Sequence, residues 1–395
     1  MHFKPRCFCQ RGDLAAASTF LAHTRQHIHQ HPELSFQEES TAALVAQHLE
    51  GWGWQVTRHV GGHGVVGTLR AGDGPRSIAL RADMDALPLT ENSGKPWASS
   101  RPGVMHACGH DGHTTMLLGA AQALAQSKDF NGTVHLVFQP AEESGPVSGA
   151  QRMIADGLFE RFPCDAIFGL HNQPGLAAGT FGFCAGPFMA ASDSATITIH
   201  GKGGHAARPH QTVDPVLIAG SLVVALQSVV ARNIDPRQPA IITVGALHAG
   251  TSAYNIIPDS AWLGLSIRSF DAEVRDTLEQ RIRALVTAHV QGYGGSVDID
   301  YQRGYPVVVN TAPETDFARQ VAEELVGAQA VIAPFPPVTG SEDFAYYLEK
   351  KPGCFLRLGN GDSAMLHNPR YDFNDDVLTV GAEYWTRLAQ RWLAA

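Results

Sequence analysis

The sequence has few cysteines, and none of them forms a CxxC pair. Its 395 residues include six cysteines, which are scattered without regular spacing. A thioredoxin-like redox site and a four-cysteine zinc site are therefore excluded, and a disulfide scaffold would need denser cysteines. The start, MHFKPRCFCQRGD, lacks the apolar segment of a signal peptide. We expect a protein of a reducing compartment, the cytoplasm.

Long apolar runs and clusters of basic residues are also missing. No uninterrupted apolar stretch reaches the length of about 18 residues that a membrane span requires, so no membrane partner is expected. The chain carries 29 basic and 38 acidic residues, mixed along its length, for a net charge of −9. A nucleic-acid partner is not expected either, because it would need a clustered basic face. The length itself predicts two domains.

Helical and strand patterns alternate in the first part of the chain. Helical spacing covers residues 14–29, 37–50 and 114–126. Short apolar runs, typical of buried strands, cover residues 77–82, 133–139 and 166–171. Buried strands that alternate with helices predict an α/β domain with a largely parallel sheet.

The pattern changes near residue 186. From about residue 190 to 303, four strand patterns and two long helix patterns follow one another in the order βαββαβ, which is typical of a split βαβ sandwich. We therefore expect an inserted domain over 190–303, between two parts of one α/β domain, 1–189 and 304–395.

Ionisable side chains follow the predicted strands at their carboxyl ends, where open α/β sheets bind ligands. The segments concerned supply Asp83 and Asp85, Glu142 and Glu143, His171, His367, and the motif MHACGHDGH at 105–113. Each of these residues alone has an ordinary structural explanation, such as a buried cysteine or a solvated pair of glutamates. Their common placement predicts a shared metal site.

The side chains in this set suggest which metal would bind. Thiolate, imidazole and carboxylate together fit zinc, with manganese, cobalt or nickel as alternatives. Five potential ligands exceed the needs of one tetrahedral ion, which indicates two ions. If strand geometry persists at Glu142 and Glu143, the two carboxylates point in different directions. One would then bind metal while the other handles the proton of a water.

Two other motifs predict no site. Residues 62–67 match GxGxxG, but a dinucleotide site requires a helix at that turn, and TLRAGDGPR follows instead. The HPE at 31–33 is similar to the HxE of zinc deaminases. The second cysteine that such a site needs is missing after Cys164.

The motifs together resemble the dinuclear-metal aminoacylase/carboxypeptidase superfamily, in particular its amidohydrolase branch with hippurate hydrolases and auxin-conjugate hydrolases. The matching stretches run from about residue 25 onwards and include HPELSFQE, RADMDALP, MHACGHDGH, FQPAEE, GLHNQP, GKGGHAARPH, YNIIPD and MLHNPRYDFND. The resemblance implies a zinc-peptidase-like catalytic domain with a ferredoxin-like lid and dimerisation domain, and hence a homodimer or higher homo-oligomer.

The resemblance also implies roles for single residues. The metal ligands would be Cys108, His110, Glu143, His171 and His367. Glu142 would be the general base, and Asp83 would orient a ligand. Arg81 stands where the wider superfamily has a histidine ligand, and Cys108 would replace that ligand.

Three residues of the inserted segment match substrate-contacting positions of the family. His205 matches a histidine that reaches the active site, in many members from the partner subunit, where it would stabilise an oxyanion. Asn255 and Arg268 match positions that bind the substrate carbonyl or carboxylate.

The reaction that the resemblance implies is hydrolysis of N-acyl-amino acids to a carboxylic acid and a free amino acid. The alternatives are a di- or tripeptidase of the same superfamily and a catalytically silent binding protein. The acyl group, the role of His113 and the role of the first 13 residues stay open.

Overall fold

The computed structural model of the protein describes residues 11–394, with side chains from residue 17 onwards. The sequence leaves the role of the first 13 residues open, and residues 1–10 of this segment lie outside the described range. The helices are α1 (Arg11–Gln30), α2 (Glu39–Gly51), α3 (His110–Ser127), α4 (Gly149–Ala155), α5 (Leu158–Arg161), α6 (Pro215–Asn233), α7 (Ala272–Gly292), α8 (Ala312–Val326), α9 (Ala345–Leu348) and α10 (Leu378–Trp392). The strands are β1 (Gln55–Val60), β2 (Gly64–Ala71), β3 (Ser77–Asp83), β4 (Gly132–Gln139), β5 (Ala166–Pro174), β6 (Phe181–Gly182), β7 (Gly186–Met189), β8 (Ala191–His200), β9 (Gly204–His205), β10 (Ala240–Ala249), β11 (Ile256–Ile257), β12 (Ser260–Ser269), β13 (Ser296–Arg303), β14 (Val308–Asn310), β15 (Val331–Ile332) and β16 (Gly353–Gly361).

The described chain divides into two compact units. The first contains the described residues up to Gly186, then Val309–Pro336 and the residues from Asp343 on. The second contains Pro187–Val308 and Pro337–Glu342.

An eight-stranded sheet in the order β1-β2-β4-β3-β5-β16-β6-β15 organises the first unit. Its central strands β4, β3, β5 and β16 run parallel to one another. They are buried almost throughout, because helices such as α3 and α10 cover the sheet. Burial on both faces explains the continuous apolar runs in the sequence.

A four-stranded antiparallel sheet in the order β10-β12-β8-β13 organises the second unit. Strand β8 alternates buried and solvent-facing residues over most of its length, and α6 and α7 pack on the buried face. Together with the mostly parallel sheet of the first unit, this βαββαβ arrangement confirms the predicted fold class.

One described helix, α6, is long and apolar enough by length and composition alone to cross a membrane, with 33% of its window buried. Its buried residues Ile218, Leu222 and Leu226 belong to the core of the second unit. The sequence has no uninterrupted apolar run of this length here, because Ser221, Gln227 and Ser228 interrupt it.

Element boundaries differ from the predicted ones at two functional places. Helix α3 begins at His110, within the histidine-rich motif and before the predicted start at residue 114. Strand β4 ends at Gln139, and Glu142–Ser144 form a 3-10 turn. The condition for a divergence of Glu142 and Glu143 through strand geometry is therefore not met, since Pro140 and the left-handed Ala141 (φ 52°) end the strand before them.

Candidate metal centre

Neighbouring parallel strands deliver the candidate side chains to one edge of the large sheet. Strand β3 ends at Asp83, β4 leads into Glu142 and Glu143, and the neighbouring strand β5 carries His171 near its end. Parallel strands have their carboxyl ends at the same edge, so the three segments meet there.

The motif at 105–113 supplies a thiol and an imidazole from a tight turn. Gly109 links Cys108 to His110 with φ 104°, a left-handed conformation that favours glycine. A Cβ at this position would lie 2.2 Å from Oδ1 of Asn172, so no larger residue fits. The turn places Sγ of Cys108 3.3 Å from Nε2 of His171.

Two histidines are oriented through their Nδ1 atoms. Nδ1 of His110 lies 2.9 Å from the carbonyl oxygen of Asp85, and Nδ1 of His171 lies 2.7 Å from that of Asn172. A carbonyl only accepts, so Nδ1 carries the proton in both rings and Nε2 of a neutral ring keeps a lone pair. Nε2 of His110 is buried without a hydrogen-bond partner, as expected of an atom that awaits an ion.

His367 reaches the same place from a loop near the end of the chain. Its amide donates to the carbonyl of Ala107 at 2.7 Å, which joins this loop to the histidine-rich motif. Its Nε2 lies 3.0 Å from Oε1 of Glu143. The residue has φ 61° and a side chain that is 55% exposed, so it stands at the mouth of the cluster.

The described structure therefore brings all five predicted ligands and Glu142 together. Three overlapping groups, each with ligand atoms within 4.8 Å of one another, are Cys108–His110–His171, Cys108–Glu143–His367 and His110–Glu142–Glu143. These donor types suit a divalent transition metal. Because the three groups share members, the arrangement suits more than one ion better than a single tetrahedral ion.

The electrostatics of the cluster favour a cation. Burial and the nearby Glu143, Glu142 and Asp83 carboxylates raise the pKa of the Cys108 thiol well above its usual value. Burial and neighbouring His113 lower the pKa of His171, which keeps that imidazole neutral and able to bind metal. A dry site rich in negative charge is stable when a cation compensates it.

His113, whose role the sequence leaves open, has protein partners at both ring nitrogens. Its Nδ1 lies 2.7 Å from Oδ1 of Asp83, and its Nε2 accepts the amide of Asn172 at 3.1 Å. Asp83, His110 and His113 also form a compact group of possible ligand atoms. Because both its nitrogens are engaged, His113 acts here as a brace between β3 and β5.

Arg81, which the resemblance places where the wider superfamily has a histidine ligand, is buried and held on three sides. Its guanidinium donates to Asp83 at 2.7 Å, to Gln139 at 2.8 Å and to Asp343 at 3.0 Å. The guanidinium of Arg81 therefore balances the charge of two buried carboxylates beside the cluster.

Asp111 braces the motif against α1 and does not cap α3, whose N-cap residue is Gly109. Its Oδ2 lies 2.8 Å from Nδ1 of His29 and 3.5 Å from the buried guanidinium of Arg25. Arg25 also forms a paired contact with Asp375. These partners could not be predicted from sequence patterns, because α1 and residue 375 lie at opposite ends of the chain.

Three predicted substrate residues lie in the second unit. His205 is exposed on β9, opposite Ile256 of β11, and the exposed Asn255 accepts the amide of Ala206 at 3.0 Å. Arg268 lies partly buried on β12 and donates to its neighbour's carbonyl at 2.9 Å. The first two are thus close neighbours.

Comparison with known proteins agrees with this chemistry. Residues 79–391 match the model of peptidase family M20/M25/M40. The chain is 44% identical over 369 residues to a hippurate hydrolase of Campylobacter jejuni, covering 93% of this chain and 95% of the relative. It is 40% identical over 370 residues to an N-acetyl-L-cysteine deacetylase of Bacillus subtilis, with 93% and 87% covered.

A solved structure shares the whole architecture. A dinuclear metal-binding peptidase of family M20 from Bacillus subtilis superimposes with a TM-score of 0.83 at 34% identity, covering 96% of this chain and 99% of the other. A tripeptidase of Staphylococcus aureus, with TM-score 0.75 and 17% identity over 96% and 99%, shares the fold.

Proposed function

The chain belongs to the peptidase family M20/M25/M40, and we propose that it is a metal-dependent amidohydrolase that cleaves N-acyl-amino acids to a carboxylic acid and a free amino acid. The observation that carries the proposal is the convergence of Cys108, His110, Glu143, His171 and His367 beside Glu142. The similarity to hippurate hydrolase and N-acetyl-L-cysteine deacetylase over nearly the full length supports the substrate class.

We propose that these five ligands hold two divalent ions per subunit, with zinc as the first candidate and manganese, cobalt or nickel as alternatives. Bound ions would supply Lewis acidity, which brings the pKa of a water towards neutrality and polarises the amide carbonyl. Cys108 would take the place of the ligand that Arg81 cannot provide, because a guanidinium stays charged.

Glu142 is the residue we assign to proton transfer. It accepts the proton of the attacking water and returns it to the nitrogen of the leaving amine, since an amide anion is too poor a leaving group. Asp83 acts on the cluster indirectly, because its carboxylate holds His113 on one oxygen and Arg81 on the other.

The second unit keeps its proposed role as lid and dimerisation domain, with His205 stabilising the oxyanion and Asn255 and Arg268 binding substrate. A homodimer is supported by apolar side chains that this unit exposes. Val224 of α6 is 72% exposed and Leu217 is 58% exposed. Strand β10 is an edge strand with exposed apolar residues, and such edges pair readily with another chain.

We propose that the protein belongs to a reducing compartment, the cytoplasm, because its cysteines are sparse and the four described ones are buried and form no disulfide with one another.

A substrate panel tests the proposed function. Purified protein loaded with zinc or manganese is assayed on benzoylglycine, several N-acetyl-amino acids and matching dipeptides with a free amino terminus. We expect hydrolysis of the acyl-blocked compounds. Faster cleavage of the free-amine peptides would favour a di- or tripeptidase. Binding of metal and ligand without turnover would identify a silent binding protein.

A further inference from the structure

Two buried carboxylates outside the proposed ligand set hold the backbone that carries Glu142 and Glu143. Oε1 of Glu38 accepts the amide of Ala141 at 2.8 Å. Oδ1 and Oδ2 of Asp85 accept the amides of Glu142 and Glu143, each at 3.0 Å. Three successive backbone amides thus donate hydrogen bonds to two side chains that come from distant segments of the chain.

Glu38 also stabilises a backbone conformation that costs free energy. Its Oε1 accepts a second amide, that of Phe36, at 3.0 Å. Phe36 and Ala141 have φ values of 62° and 52°, the left-handed region that residues with a Cβ rarely adopt. Because β4 must turn sharply at Ala141 to present Glu142, the hydrogen bond offsets part of the cost of that turn.

Asp85 connects the same turn to a proposed metal ligand. Its Oδ1 lies 3.2 Å from Nδ1 of His110, and its Oδ2 accepts the hydroxyl of Ser35 at 2.7 Å. Its own carbonyl accepts from the His110 ring as well. One side chain therefore fixes both the orientation of His110 and the position of the glutamate turn.

We propose that Glu38 and Asp85 form a clamp on residues 141–143 that positions the side chains of Glu142 and Glu143 for catalysis and metal binding. The proposal rests on the proposed function for its catalytic part. Both members are positioning residues, since they act through the backbone.

The chemistry required of Glu38 is that of a hydrogen-bond acceptor without charge. Burial and the negative charge of Asp85 raise the pKa of Glu38 to about 8, and its Oε2 has no hydrogen-bond partner. Glutamine offers the same acceptor in a neutral side chain of the same shape. Methionine has similar length and offers no comparable acceptor. Comparing Glu38→Gln with Glu38→Met therefore shows whether the hydrogen-bond acceptor of Glu38 matters or only the volume of its side chain.

The chain offers a matched control in Glu33. This glutamate is 3% exposed and also accepts two backbone amides, those of Ser40 and Thr41. These amides lie at the start of α2 and not at the glutamate turn. Glu33→Met therefore removes these hydrogen bonds, together with that from the Thr41 hydroxyl, without removing a hydrogen bond to residues 141–143.

The experiment measures hydrogen–deuterium exchange and steady-state kinetics on the full-length protein loaded with manganese. We expect faster exchange in the peptide that contains residues 141–143 for Glu38→Met and Asp85→Asn, and wild-type exchange there for Glu38→Gln and Glu33→Met. For Glu38→Met we expect kcat on the best N-acyl-amino acid to fall at least about tenfold, because small misplacements of catalytic groups are costly. KM should stay within about threefold, since substrate contacts are untouched.

Two results would overturn the clamp. One is unchanged exchange at 141–143 in Glu38→Met. The other is a folded Glu38→Gln protein that loses as much kcat as Glu38→Met, since the acceptor would then not be the feature that matters. A wild-type protein that hydrolyses no compound of the panel would refute the proposed function, while the exchange data would still decide whether the clamp exists.

Discussion

Sγ of Cys108 and Nε2 of His171 lie 3.3 Å apart, although 63 positions separate the two residues in the chain. The contact joins the turn before α3 to strand β5. It places a thiol and an imidazole lone pair face to face in a buried site, an arrangement that suits a shared metal ion.

Replacing Cys108 by alanine should lower the content of the two metal ions that we propose for each chain. The thiol belongs to two of the three compact donor groups, so its loss weakens both ion positions. Metal analysis after dialysis measures the effect. Cys164→Ala, which removes another buried free cysteine, should keep the wild-type metal content. Equal metal content in both variants would contradict the ligand role of Cys108.

His113 and His171 should respond differently to the same substitution. His171→Gln removes a lone pair from the cluster and should lower the bound metal. His113→Gln should keep the number of bound ions and weaken their affinity about 10–100-fold, as is typical of a residue that braces ligands. Titration calorimetry with manganese distinguishes the two. If His113→Gln binds fewer ions, the residue is itself a ligand.

Glu142→Gln should lower kcat by about 10²–10⁴-fold, the usual contribution of a positioned acid–base group. Its metal content should equal that of the wild type, because the assignment gives metal binding to Glu143. Kinetics and metal analysis on the same preparation provide the measurement, with the exposed Glu160→Gln as control. Wild-type turnover in Glu142→Gln would refute the assigned base.

Arg81→Ala should destabilise the first unit by about 3–5 kcal/mol, because it leaves the buried Asp83 and Asp343 without their cation. Chemical denaturation measures the free energy of unfolding. The exposed ion pair of Arg58 and Glu50 provides the control, for which alanine at Arg58 should cost about 0–1 kcal/mol. Similar losses in the two variants would show that burial of Arg81 carries little energy.

The stability of the fold should depend on pH through Glu38. Its pKa rises from 4.5 in an exposed glutamate to about 8, owing to burial and to the charge of Asp85. Between these values the folded chain holds a proton that the unfolded chain releases, so stability decreases as the pH rises through this interval. We expect the Tm of the wild type to fall relative to that of Glu38→Gln over the same range. Parallel Tm curves would show that Glu38 does not titrate in this way.

Much of the candidate site could be predicted from the sequence, since polar residues at the ends of buried strands are readable as a pattern. The strand runs before Asp83 and Glu142 and the run that ends at His171 predicted the parallel sheet and its edge. The motif at 105–113 supplied donor types that only a few metals prefer. The run at 354–360 placed His367 in a loop after a strand, and the family resemblance assigned it as a ligand.

The partners of these residues could not be predicted, because they come from distant parts of the chain. That Ala141 adopts a left-handed conformation and that Glu38 and Asp85 accept three successive amides depends on how α2, β3 and β4 pack. Asp85 stood out only as a strand end, and Glu38 gave no signal.

The sequence by itself determined which elements form and which chemistry they carry, because periodicity and donor type are local properties. Only the tertiary structure decided which nitrogen of His110 and of His171 faces the cluster and that His113 contacts Asp83 and Asn172. It also decided that Arg81 is a buried structural cation. These properties depend on hydrogen-bond partners and burial, which arise only when segments far apart in the chain come into contact.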